Sequence, residues 1–439
     1  LINNQKTEFA DRLKVLRDQN LKDRSSFNAE LDKQRKLMVD AEVNYSENID
    51  NINSGYFDEI TELKEKYESL LKDIPESVRV YYTKSFELYS VYKKFSPNKE
   101  VPYGGFANSK KANFMEKILR FVRGNFFLPD PRRGWNKFAV KKAREIIRNN
   151  NIETIITTSP PHSTQLIGLK LKKQLNIKWL ADFRDPWTDI YYYKQLYPTK
   201  LATAINKNFE RKVLQNSNKT ITVSRELKRL FSSKLNNVRD KTEVIPNGFD
   251  IDDFLNINKA KRNNLFYISY VGTISNDYNI DGLINGIKQL SGIIKTKIRL
   301  RFIGKISSEL VEKLNDTGLK GQIEIVGYVE HSKAISYMMS SDVLLLIIPN
   351  VKNNMGILTG KLFEYLASKR PILFLGPVNG NAAAIIEETK SGIICSCNDK
   401  DKIAESIEIF FHSTKTDSDF SEALKYSRDN LTKNLLELI

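Results

Sequence analysis

The stretch NNMGILTGKLFEYLASKRPIL, residues 353–373, holds the side chains whose types and order could do the most chemistry. An apolar run ends at Pro349, a loop rich in Gly and Asn reaches Gly360, and a helical pattern starts near Lys361. This order predicts a strand, a loop and a helix whose first N–H groups and positive dipole end suit a phosphate. Thr359 and Gly360 would stand at the helix start and Lys361 would add a mobile positive charge. Glu364, one turn further, could accept hydrogen bonds from ribose hydroxyls. The plainer alternative is a helix capped by Thr359 with Lys361 and Glu364 in solvent.

Other loops carry weaker signals. Gly272 ends the run YISYVG (267–272), with Thr273 and Ser275 after it. A glycine there permits close backbone approach to a ligand, or simply a tight turn. SPPHSTQ (159–165) sets His162 at a strand end, where an imidazole could hydrogen-bond a sugar or phosphate or be structural. ADFRDPWTD (181–189) puts Asp182, Arg184 and Asp185 at another strand end, where the Arg–Asp pair could act on a ligand or brace the loop. His331 and His412 have no partner at metal-ligand spacing, and no Asp-x-Asp motif stands at a strand end. Cys395 and Cys397 read as buried thiols on one side of GIICSC. Two cysteines exclude a disulfide scaffold and a four-cysteine zinc site. A Walker loop, G-x-G-x-x-G and a Ser-His-Asp elbow are absent.

The elements that must position these residues alternate. TIITTS (154–159), IKWLADF (177–183) and TITVS (220–224) read as strands, each followed by a helical stretch, and VRVYYT (78–83) has strand character. A second series runs through YISYVG, KIRLRFIG (297–304), QIEIVG (322–327), VLLLIIP (343–349) and RPILFLG (370–376). Strands alternating with helices predict parallel sheets covered on both faces. EVIPNGFD (243–250) separates the two series, and its Asn247–Gly248 turn suits a hinge. The fold class is therefore α/β, two doubly wound Rossmann-like domains facing a cleft, with ligands beyond the carboxyl ends of the strands. Residues 5–72 look different. Ile49, Ile52, Tyr56, Ile60, Leu63, Tyr67 and Leu70 follow three-and-four spacing, which predicts a helical hairpin or weak coiled coil with a coiled-coil partner.

Of 439 residues, 69 are Lys or Arg and 53 Asp or Glu, a net of +16 that points to an anionic partner. Residues 1–75 hold 12 basic and 16 acidic side chains, so the rest of the chain carries +20. From Lys110 to Asn150, 12 basic residues face three acidic ones among Phe114, Phe121, Phe126, Phe127, Trp135 and Phe138. Two readings fit this stretch: a helix in the interface of an anionic membrane, or a core helix with solvated charges. Nucleic acid is disfavoured, because no zinc-finger spacing, RNP motif or basic zipper accompanies the charge. No apolar run is long enough to cross a membrane, and no basic-then-apolar leader precedes the helical front, which speaks against secretion.

TTSPPHSTQLIGLKLKKQL, WLADFRDPWTD, ITVSRELK, EVIPNGFD, YVGTIS, DVLLLIIP and TGKLFEYLASKRPIL occur in the order found in the family 4 glycosyltransferases of the GT-B fold, which the chain resembles over roughly residues 68–439. VPYGGFANSKKANFMEKILRFVRGNFFLPD is similar to one bacterial branch of that family. The resemblance implies four parts: a helical segment (1–72), an acceptor domain (73–240), a nucleotide-sugar domain (241–420), and a last helix (421–439) crossing back to the first domain. It implies a retaining hexosyl transfer from a UDP- or GDP-sugar to a glycan or lipid-linked acceptor in cell-surface polysaccharide synthesis. It places Lys361 on the diphosphate, Glu364 on the ribose and His162 against the donor sugar, with Asp182 and Arg184 nearby. Gly272, Thr273, Ser275, Thr359 and Gly360 would complete the donor site. No cofactor or metal is expected, and the setting expected is the cytoplasm, with peripheral contact on the inner face of the bacterial plasma membrane as an option.

The chain departs from the family pattern at Gly356, where many members have Glu, and at Thr273, where Arg is common. Residues 1–65 show none of the family's opening strand and Gly-rich loop. These departures open a second expectation, a catalytically impaired scaffold in a glycan-assembly complex. A UDP-sugar 2-epimerase is a third.

Overall fold

A computed structural model describes residues 74–75, 77–86, 114–235, 237–255, 257, 264–413 and 421–439. The helical front over 5–72, its coiled-coil partner and the missing opening strand and loop fall outside the described residues. The chain divides into two compact units, Leu1–Tyr82 and Thr83–Ile439. VRVYYT does not form the expected strand. Its residues are mostly exposed and take no strand assignment.

The larger unit opens with α1 (Phe114–Phe126) and α2 (Asn136–Asn149). The next elements are β1 (Thr154–Ser159), α3 (Ser163–Gln174), β2 (Lys178–Phe183), α4 (Lys200–Asn216), β3 (Lys219–Thr222), α5 (Arg225–Lys234) and β4 (Thr242–Val244). The four strands form one parallel sheet in the order β1-β2-β3-β4. EVIPNGFD thus begins as an edge strand, and the connection to the next sheet starts only after Val244.

That next sheet comprises β5 (Phe266–Val271), β6 (Ile298–Ile303), β7 (Ile323–Gly327), β8 (Val343–Ile347), β9 (Ile372–Leu375) and β10 (Gly392–Cys395). Between them lie α6 (Asp281–Gln289), α7 (Gly292–Lys297), α8 (Ser308–Asn315), α9 (His331–Ser340), α10 (Gly360–Ala367) and α11 (Asn381–Glu388), and α12 (Lys400–His412) follows β10. All six strands are parallel in the order β10-β9-β8-β5-β6-β7. The chain builds outward from β5 in one direction, then returns to β8 and builds outward in the other. The reversal point, between β5 and β8, is where open parallel sheets form a ligand crevice. Val343–Ile347 is buried throughout, as a strand covered on both faces must be. Cys395 ends β10 and is buried, whereas Cys397 lies beyond the strand and is half-buried.

The two sheets are joined twice. Phe249 bridges Ser427, with Phe249 N–H donating to Tyr426 O at 3.2 Å and Arg428 N–H to Phe249 O at 2.9 Å. A Cβ on Gly248 would stand 2.6 Å from Tyr426 O, so only glycine lets the crossings meet. Beyond them α13 (Arg428–Leu436) sets Leu431 and Leu435 against Leu180 of β2 and Ile221 of β3.

The basic aromatic stretch splits in two. Ala139, Val140 and Ile147 of α2 are buried in the core, so this half follows the core-helix reading. On α1, by contrast, Phe114 is 80% and Phe126 74% exposed, with Ile118 and Phe121 also open to solvent.

Candidate functional site

The carboxyl end of β5 is built from glycine. Gly272 (φ +120°) donates its N–H to Ile303 O at 2.7 Å, and Gly304 (φ +121°) packs so closely that a Cβ there would stand 2.5 Å from Gly272 O. Both conformations disfavour any side chain. A Cβ on Gly272 would lie 2.2 Å from Lys361 Cε, so the missing side chain is the space Lys361 occupies.

Helix α10 is fixed to the reversal point by Tyr365. Its hydroxyl accepts a hydrogen bond from Val271 N–H at 2.9 Å and donates to Leu345 O at 3.4 Å, spanning β5 and β8. The phenol is fully buried, and burial pushes its pKa well up. This anchor presents the first turn of α10 beside Gly272. Lys361 Nζ donates to Tyr270 Oη at 2.6 Å and to Thr273 O at 3.3 Å, and it lies 4.6 Å from the Tyr270 ring centroid. Burial lowers the ammonium pKa to about 8, against an opposing pull from Glu364. Burial also raises the Glu364 pKa, while His331 and Lys361 lower it. Thr359 Oγ1 is buried without a hydrogen-bond partner, although a Thr in this position normally caps its helix. A Cβ on Gly360 would meet nothing within 4 Å, so space lies open beside the helix start.

Gly272, Thr273, Thr359, Gly360, Lys361 and Glu364 are therefore brought together at one strand end and one helix start. Ser275 is buried, and its carbonyl accepts Tyr278 N–H at 3.1 Å. Sequence reasoning missed Tyr270 and Tyr278, whose rings flank Lys361, and His331, whose Nε2 lies 3.7 Å from Asp253 Oδ2. The alternation in YISYVG was a signal for strand burial, not for a lysine partner 91 residues on.

On the first sheet, Gln165 ties the ends of β1 and β2. Its amide donates to Ser159 Oγ at 3.0 Å and Asp182 O at 2.7 Å, and its carbonyl accepts from Thr157 Oγ1 at 2.6 Å. Asp130, which follows α1, accepts from Ser163 N–H at 2.7 Å and Ser163 Oγ–H at 2.8 Å, capping α3 from a distance in sequence. His162 is held between these anchors. Its ring stacks on Trp187 with centroids 4.8 Å apart, its Nδ1 is buried without a partner, and burial with nearby Lys234 lowers its pKa to about 4. It is a neutral imidazole at pH 7.

Asp182 and Arg184 are placed differently from His162. Arg184 Nε donates to Asp182 Oδ2 at 2.8 Å, and its other end reaches Ile245 O at 3.1 Å and Asn247 Oδ1 at 3.3 Å. These bonds tie the pair to the connection that carries Asn247 and Gly248, and Arg184 also borders the cleft.

A cavity of about 780 Å³ lies between the loops after β1 and β2, helix α5 and the loop 352–358. Gly356 faces α5, where a Cβ would stand 2.9 Å from Glu226 Cβ. Among the described residues, no group of three or more His, Cys, Asp or Glu side chains could hold a metal ion.

Residues 103–253 match the family model described as Glycosyltransferase Family 4, and residues 252–426 match that described as Glycosyl transferases group 1. No curated protein matches the sequence. Among solved structures, HepE from Anabaena in complex with UDP is 14% identical with a TM-score of 0.53, over 68% of this chain and 81% of that one. Sucrose-phosphate synthase from Thermosynechococcus elongatus is also 14% identical, with a TM-score of 0.51, over 70% of this chain and 79% of that one. Likeness at that identity is one of fold, and it agrees with the two parallel sheets and their covering helices. The two family models meet at the connection between the sheets and together take in most of the chain, which belongs to the family 4 glycosyltransferases of the GT-B fold.

Proposed function

We propose that the chain transfers a sugar, with retention, from a UDP-sugar held at the β5–α10 junction to a glycan or lipid-linked acceptor entering the interdomain cavity. The observation that carries the donor assignment is the unpartnered Thr359 hydroxyl beside open space at Gly360, with Lys361 within the same turn. A diphosphate there would accept from Thr359, from the free N–H groups of the helix start and from Lys361. Charge developing on the departing diphosphate would meet these fixed donors, so the step needs no metal to neutralise it. Glu364 would take the ribose hydroxyls. His162, neutral and immobilised on Trp187, would face the donor sugar from the other domain, and the departing phosphate would help take the acceptor proton.

Calorimetry with UDP and GDP tests the donor reading and separates the two nucleotides. Glu364→Ala should abolish nucleotide binding, and undiminished affinity would refute the assignment. Tight UDP binding by the wild-type chain without hydrolysis or transfer of any UDP-sugar would favour the scaffold reading instead.

Membrane contact is the second part of the proposal. The open Phe114, Ile118, Phe121 and Phe126 with exposed Lys117 support α1 lying in an anionic lipid interface. Among the described residues no helix is long and apolar enough to cross a membrane. Co-sedimentation should increase with the anionic lipid fraction, and insensitivity to it would count against this contact.

A further inference from the structure

The interdomain cavity is lined by charged and apolar side chains together. Most of its charges are already neutralised within the protein. Arg184 is engaged by Asp182, Asp189 by Lys234 at 2.5 Å, and Glu226 by Arg229 at 2.5 Å. Among the acidic lining residues Asp185 is the exception. It borders the cavity, is largely enclosed, and among the described residues forms neither an ion pair nor a hydrogen bond. Tyr191 and Tyr192 line the same cavity, ring against ring at 5.2 Å and nearly perpendicular. Burial raises the pKa of Asp185 and of both phenols, with Asp185 adding to the rise in the phenols, which agrees with a carboxyl lacking a donor.

The cavity also has apolar lining residues. Leu227 and Leu230 from α5 line it together with Met355, Ile357 and Leu358 from the other domain. A carboxylate starved of hydrogen-bond donors, with phenol rings beside it, matches the hydroxyls and flat apolar faces of a sugar. The apolar side chains of the same cavity match something that is not sugar.

Resting on the proposed transferase reading, we infer that Asp185 selects the acceptor, and that the acceptor is an amphiphilic saccharide. Its hydroxyls donate to Asp185 beside Tyr191 and Tyr192, while its apolar tail lies along Leu230, Met355 and Ile357. Asp185 thereby acts on the choice and seating of the acceptor, not on the donor.

The test uses the full chain saturated with UDP and two probes, methyl β-glucoside and octyl β-glucoside below its micelle concentration. Binding is titrated by saturation-transfer NMR on the sugar protons. Octyl glucoside should bind the wild type at least about 10-fold more tightly than methyl glucoside, and Asp185→Asn should weaken it by about 10-fold or more. Met355→Asp, an exposed loop change, should erase the difference between the probes. UDP affinity should be unchanged in both variants. Equal binding of the two probes, no binding of either, or an Asp185→Asn variant that binds as well as wild type would overturn the inference while leaving UDP binding and the donor reading intact. Failure of the wild-type chain to bind UDP would instead refute the transferase reading and the inference with it.

Discussion

Lys361 turns back from the start of α10 to donate a hydrogen bond to the phenol of Tyr270, 2.6 Å away. Tyr270 in turn donates to Thr273 O at 2.8 Å, so the charge is parked on a short relay at the mouth of β5. Both partners are neutral. An arriving diphosphate would offer full negative charge to the same ammonium, and charge-assisted bonds are roughly twice as strong as neutral ones.

The parked lysine makes nucleotide binding depend on pH. Its pKa is lowered to about 8 from the ordinary 10.5, so between those values the unfolded chain holds a proton that the folded protein lacks. Stability from this group therefore rises with pH across that window. A bound diphosphate reverses the shift, and calorimetry at pH 9 in buffers of different ionisation heat should show proton uptake on UDP binding, with none at pH 6.5. Lys361→Met should remove the uptake and weaken UDP by about 10- to 100-fold.

His162 titrates in the opposite range. Its pKa is lowered from 6.5 to about 4, so the unfolded chain binds the proton first as pH falls. Stability from this group is complete above about pH 6.5 and is lost towards pH 4, by about 3 kcal/mol at most. Urea unfolding of wild type and His162→Gln at pH 7 and pH 4.5 should show a smaller acid loss in the variant.

Gly272→Ala would put a methyl group where Lys361 Cε lies and force a side chain into φ +120°. We expect a loss of about 1–3 kcal/mol in stability and of UDP binding. A variant that binds UDP normally would show that Lys361 does not need its present path.

Gly168→Ala tests the first sheet apart from the donor site. The new Cβ would stand 2.3 Å from Trp179 Nε1, and that indole is fully buried and bonded to Thr157 Oγ1 at 2.8 Å. Alanine gains about 1 kcal/mol of helix propensity, but overpacking a pinned ring costs about 1–3 kcal/mol. A lower melting temperature with unchanged UDP affinity is expected.

Much of this was legible because local pattern and tertiary role agree. The apolar runs from TIITTS to RPILFLG each became a parallel strand, and the Gly-Lys helix start in TGKLFEYL stands where the strand order reverses. What stayed hidden depends on distance in sequence. Asp130 caps a helix 33 residues away, and Arg184 reaches the connection 61 residues on. Spacing arguments see neighbours on one element, not partners supplied by another. VRVYYT shows the converse, since its alternation does not become a strand among the described residues.

The double joint between the sheets also bears on how the protein comes apart. A protease nick at Asn247 severs one crossing, but the other still runs from the second sheet through Ser427 into α13, which is seated on β2 and β3. The halves would separate on a denaturing gel and travel together on a sizing column, held by a helix that belongs by sequence to one half and by packing to the other.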